Sequence, residues 1–159
     1  MAYRLLTTGE LIDELESYSA QIMALALQIE KLARLKSECK ISDLIYAELY
    51  EDIGKKVDIA RRDRNGLAEA GNNRMKEVGA EVNELKYRLE RLEVRRMLDF
   101  VSAEKYSAAK EELLKKVGEN EEILLLIEKL RASTEEAFSK IDSAMPQREP
   151  LQSDMRRLE

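Results

Sequence analysis

The 159-residue chain has no histidine, no tryptophan and a single cysteine, Cys39. Without histidine, imidazole acid–base chemistry, Ser-His and Cys-His nucleophiles and His-ligated metals are excluded. The Glu-x-x-His di-metal site of carboxylate-rich bundles falls with them. One thiol builds neither a disulfide framework within the chain nor a thiolate zinc site. Aromatic residues make up only 5%, and there are 2 Pro and 6 Gly. This is poor material for a sheet protein, which draws on aromatic and β-branched residues with frequent turns. No apolar run, Ile123–Ile127 included, comes near the length of a membrane span. The residues from Met1 to Thr7 lack a signal-peptide core. No Gly-rich phosphate loop with Lys-Ser/Thr occurs, and no Gly-x-Ser-x-Gly elbow. The expectation is a cytoplasmic, non-enzymatic protein with no cofactor, no metal and no small-molecule substrate.

What the chain does contain is helix formers. Ala, Glu, Lys, Arg and Leu supply 90 of the 159 residues, about 57%, the composition of long helices or coiled coil. Charged residues reach 37% with the signs well mixed, and 27 basic against 32 acidic residues leave a net charge of −5. A mildly acidic chain is not a natural polyanion binder unless a basic face is concentrated locally.

Three helix starts are legible. Thr7 and Glu10 form a capping box, in which the hydroxyl accepts from the third helical N–H and the carboxylate reaches back. Leu6 and Leu11 stand at the positions of a hydrophobic staple. Ser42 repeats the cap, with Ile41 and Tyr46 as the staple, and Ser102 repeats it with Val101 and Tyr106. Helices are therefore expected to start near residues 8, 43 and 103. The last two starts belong to a repeat offset by 60 residues: six of seventeen positions match between 41–57 and 101–117, including Lys-Lys-Val at 55–57 and 115–117. Each copy reads as a helical hairpin.

Between the caps the apolar spacing alternates three and four, as in a heptad seam. Leu11, Leu15, Tyr18, Ile22, Leu25, Ile29 and Leu32 follow it. So do Met75, Val78, Val82, Leu85, Leu89 and Leu92, and then Ile123, Ile127, Leu130, Thr134, Ala137 and Ile141. The packing or oligomer seam is assigned to Leu15, Tyr18, Ile22, Leu25, Ile29, Leu85, Leu89 and Leu92. Met23, Leu27, Leu124 and Leu126 add a second apolar face, which implies a bundle or a homo-oligomer, dimer or larger. The centre is weaker, its seam positions being Ala60, Arg64, Leu67 and Gly71, with breaker signals at Asn65-Gly66 and Gly71-Asn72-Asn73.

The resulting fold is all-α: elongated antiparallel helical hairpins or coiled coil over 1–143, built on one central helix from about 43 to 98. At 1.5 Å per residue that helix would span roughly 84 Å. The alternative is a four-helix bundle, broken near 66–73. Pro146 and Pro150 bar a regular helix beyond residue 143, so 144–159 reads as a flexible tail.

The stretch Ile41-Ser42-Asp43-Leu44-Ile45-Tyr46, after a heptad helix, resembles the Gly-x-Ile-Ser-x-x-x-Tyr turns of archaeal CdvA-like coiled-coil proteins, and Val101-Ser102-Ala103-Glu104-Lys105-Tyr106 is similar. Cys39 or Lys40, and Asp99 or Phe100, replace the turn glycine of that pattern. The resemblance spans about residues 8–140 and implies a scaffold of archaeal cell division, peripheral at the membrane during division and working with ESCRT-III-like partners. CdvA itself carries a small β-domain ahead of its coiled coil, so this chain looks like a stand-alone coiled-coil relative.

One basic set could act chemically. Arg88, Arg91 and Arg95 recur on one helical face with Arg96 beside them, and Arg61, Arg62 and Arg64 form a smaller group. The first set could meet nucleic acid or an acidic membrane surface. It could equally be spent on the interleaved Glu84, Glu90 and Glu93.

Overall fold

The computed structural model describes residues 3 and 6–145. Three helices carry almost all of them: α1 (Thr8–Ser37), α2 (Asp43–Met97) and α3 (Ala103–Ala144). Each cap forms as its residues dictate. The Glu10 N–H donates to Thr7 Oγ1 and the Thr7 N–H donates to Glu10 Oε1, both at 3.1 Å. The N–H groups of Ile45 and Lys105 donate to Ser42 Oγ and Ser102 Oγ, both at 3.2 Å. Accepting the Thr7 backbone N–H holds the Glu10 carboxylate below its ordinary pKa.

The two turns are built alike. Cys39 and Asp99 adopt left-handed φ values of 56° and 60°. In the first turn Cys39 N–H donates to the Lys36 carbonyl and Lys40 N–H to the Leu35 carbonyl; in the second, Asp99 pairs with Arg96 and Phe100 with Arg95. Both are Schellman closures, which normally place glycine at the left-handed position. The residues standing in for glycine are 60 positions apart, so the repeat extends to backbone geometry.

α2 is one helix of 55 residues, continuous through its weak centre. The four-helix alternative with a break at 66–73 is not realised. Buried positions on α2 include Gly54, Val57, Ala60, Leu67, Gly71, Val78, Val82 and Leu85, with Arg64 half-buried in step. An isolated glycine inside a helix costs only about 1 kcal/mol relative to alanine, and the seam around it outweighs that.

The packing falls into two units. The first draws on Met1–Ile12 and Glu69–Lys129. Its core includes Val82, Leu85 and Val117, with Leu113 and Leu124 packed against them. Arg74 secures the start of α1 by donating to Thr8 Oγ1 and to the Leu6 carbonyl. The second unit draws on Asp13–Ala68 and Leu130–Glu159. Here the last turns of α3 join α1 and the first part of α2. Phe138 and Ile141 are completely buried, Tyr18 meets the Phe138 ring at 6.3 Å, and the Tyr18 hydroxyl donates to the Ala60 carbonyl at 2.6 Å. α3 thus reaches α1 and the first part of α2 through Phe138, which lies one residue off the seam drawn through Ala137 and Ile141. Ala144 and Met145, assigned above to a tail, close α3 and lie buried just after it, respectively. Residues 146–159 lie outside the described residues.

Cys39→Gly and Asp99→Gly should each raise stability by about 1 kcal/mol by relieving the left-handed strain. The two effects should add in the urea midpoint, because the sites share no partner. Phe138→Ala should cost about 3–5 kcal/mol in the same measurement.

Candidate functional site

The seam residues come first, since they are the largest predicted set. Tyr18, Ile22, Leu25, Ile29 and Leu85 are buried inside the chain, and Leu15, Leu89 and Leu92 are half-buried. The five buried side chains serve internal packing, and the three half-buried ones keep part of their surface open. The second apolar face divides: Leu124 packs on the core and Leu126 is half-buried, while Met23 and Leu27 remain exposed.

The basic residues separate just as clearly. Arg61 pairs with Asp142, and Arg64 grips Glu135 through two hydrogen bonds, at 3.4 Å and 2.6 Å, while lying 4.4 Å over the Phe138 ring. These two brace α2 against the end of α3. Arg96 donates to the Val101 carbonyl at 3.1 Å and is half-buried, so it locks the second turn. It does not belong to a basic surface.

Arg88, Arg91 and Arg95 do come together. They line one side of an open groove of about 280 Å³ between α2 and α3, over a floor of Leu92, Ala109 and Leu113. Lys116 and Glu112 of α3 form the opposite wall. Lys116 was not foreseen, because nothing in the linear sequence says which α3 side chains face Arg91. Two of the four cations are engaged: Arg88 with Glu84 and Lys116 with Glu112, both at 3.3 Å. Arg91 and Arg95 have no carboxylate partner among the described residues; Arg95 approaches only the Phe100 ring, at 5.9 Å.

Next to the groove, Tyr106 does more than staple a helix. Its hydroxyl donates to Glu93 Oε2 at 2.5 Å and accepts from Lys110 Nζ at 3.1 Å, and Lys110 also reaches Glu93 at 3.0 Å. The Tyr106 bond is the leading cause that lowers the Glu93 pKa and raises that of Lys110, with direct Glu93–Lys110 pairing next. At the first turn, Tyr46 instead stacks with Tyr50 at 5.7 Å and receives Lys36 at 4.3 Å from its ring. Glu93 is therefore withdrawn from the arginines interleaved with it in sequence, which leaves the groove more positive than the linear charge pattern implies.

Beside the groove α2 carries a second, uncovered stripe. Tyr87, Arg91 and Val94, with Leu98 just past the helix end, step by 4, 3 and 4 residues, and the three apolar members are 47–60% exposed. Leu44, Ile45 and Leu49 are likewise exposed near the start of α2. No helix among the described residues is long and apolar enough to cross a membrane. Comparison with known proteins finds no matching family, no similar curated protein and no similar solved structure.

Tyr106→Phe should raise the Glu93 pKa toward the ordinary carboxylate value and lower that of Lys110, read residue by residue in an NMR titration. The lowered Glu93 pKa contributes stability above the ordinary carboxylate range, and this is lost as pH falls through the lowered value. The raised Lys110 pKa contributes stability below the ordinary lysine value, lost as pH rises through the raised one. The substitution should flatten both limbs of the stability–pH curve.

Proposed function

We propose that the protein is a non-enzymatic, self-associating helical scaffold. The observation that carries this reading is the exposed heptad-spaced stripe at the end of α2, continued by Leu98 just beyond it. Tyr87, Val94 and Leu98 lie at the spacing by which helices pack, yet the chain leaves them uncovered. Large apolar side chains left exposed side by side, here Val94 and Leu98 with Tyr87 beyond Arg91, mark a candidate contact surface. Met23 and Leu27 add a second exposed pair, lining a groove of about 390 Å³ with Ala137 and Lys140. The resemblance of the two Ser-capped turns to CdvA-like proteins supports placing this scaffold in archaeal cell division, with an ESCRT-III-like protein as its partner.

A nucleic-acid or acidic-membrane reading of the basic face has less behind it. Of the named arginines, Arg96 is committed to the turn and Arg88 to Glu84, so Arg91 and Arg95 are left. Two phosphate contacts give a salt slope of only about −1.8 on B-DNA, and they would sit on a chain of net charge −5.

Sedimentation across a wide concentration range should show a dimer or larger species; a monomer throughout would overturn the reading. Burying one such side chain contributes about 1.5–3 kcal/mol, and 1.4 kcal/mol is tenfold in affinity. Val94→Ser together with Leu98→Ser should therefore weaken association by at least about a hundredfold, with the helix content unchanged.

A further inference from the structure

The groove of Arg91 and Arg95 has a chemical complement on the same chain, and the geometry points to its occupant: the acidic first turns of α2 from a second copy. This rests on the self-association reading and names the surfaces that carry it. Residues 43–52 contain four carboxylates and no lysine or arginine. Glu48 and Asp52, four residues apart and both exposed, have no ion-pair partner among the described residues. Leu44, Ile45 and Leu49 lie exposed beside them. The groove mirrors this arrangement: Arg91 and Arg95 are also four residues apart and unpaired with any carboxylate among the described residues, and Leu92, Leu113 and the exposed Val94 supply apolar surface. One helix face thus offers two carboxylates and an apolar strip to a groove offering two guanidiniums and an apolar floor. Carboxylate–guanidinium pairing is the geometry arginine favours.

Helix-dipole compensation does not account for the pattern. Acids favour helix starts and bases helix ends, but the effect fades within the first or last turn. That covers Asp43 and Arg95. It leaves Glu48, Asp52 and Arg91, each more than a turn inside α2. Both faces belong to one folded chain and remain exposed in it, so the contact they support is between copies.

The test is charge reversal read by sedimentation and light scattering at low and physiological salt. Arg91→Glu with Arg95→Glu, and separately Glu48→Lys with Asp52→Lys, should each weaken assembly by about a hundredfold or more, since opposed like charges replace pairs. All four positions are on the helix surface, and circular dichroism checks that each variant stays helical. Mixing the two variants should restore assembly, because each then presents the complement of the other. The fourfold variant, with both faces reversed in one chain, should assemble like wild type, which a folding defect could not do. Assembly of the wild type should weaken as salt shortens the screening length from about 10 Å at 0.1 M to about 3 Å at 1 M. If the wild type assembles and both double variants assemble equally well, or if mixing and the fourfold swap restore nothing, this contact is wrong while the scaffold reading stands. If the wild type never assembles, both fall. If Arg91→Glu with Arg95→Glu abolishes retention on duplex DNA at about 0.15 M salt but leaves assembly intact, the groove is a polyanion site and the proposal is overturned.

Discussion

The arrangement depends on α2 staying helical through a stretch that resists it. Between Ala60 and Gly71 its inward positions offer little apolar volume, and Asn65-Gly66 invites a break. What holds this stretch comes mostly from other helices. Tyr18 of α1 donates to the Ala60 carbonyl, and Phe138 of α3 packs beneath Tyr18 and Arg64. Arg64 then satisfies its charge on Glu135. The half-buried arginine replaces the missing apolar bulk: its stem fills space along the seam and its head finds a carboxylate and a ring. A helix weak in its own propensity is thereby made continuous by tertiary contacts.

This explains what the sequence could and could not reveal. Helix ends are local chemistry. Thr7, Ser42 and Ser102 act on N–H groups three residues away, so the starts at 8, 43 and 103 were readable, and the seam of α1 followed from spacing. The repeat also predicted two similar turns, and the shared left-handed residues Cys39 and Asp99 extend that likeness. Phe138 was invisible because it lies one residue beside the seam position Ala137, and a single-seam periodicity does not show that packing on two helices buries both neighbours. The ion pairs of Arg61 and Arg64 join residues 81 and 71 positions apart, and no local pattern encodes such a pairing.

The basic set shows the same division at the level of the site. Spacing correctly placed Arg88, Arg91 and Arg95 on one face, because 3.6-residue periodicity determines that much. It also placed Arg96 beside them, where the turn instead claims it for the Val101 carbonyl. Glu93, interleaved with the arginines, looked like their neutralising partner, yet Tyr106 and Lys110 take its carboxylate. A charge pattern in sequence is thus a poor guide to net field, since it does not say which charges are already engaged. Arg91, Arg95, Glu48 and Asp52 are among the charges that have no ionic partner among the described residues.

Two requirements then separate along α2. Its inner seam decides whether the chain folds, and the exposed stripe through Tyr87, Arg91, Val94 and Leu98 is free to decide what it touches. Folding exposes no need for that stripe: solvent-exposed valine and leucine add little to stability, and unpaired arginines add less. An acidic face on one copy meeting a basic groove on the next is a heterologous contact, whose two halves are different surfaces. Such a contact either closes as a reciprocal pair or propagates from copy to copy, and the choice rests on the angle between the two surfaces rather than on their chemistry. Complementary charge fixes which faces meet.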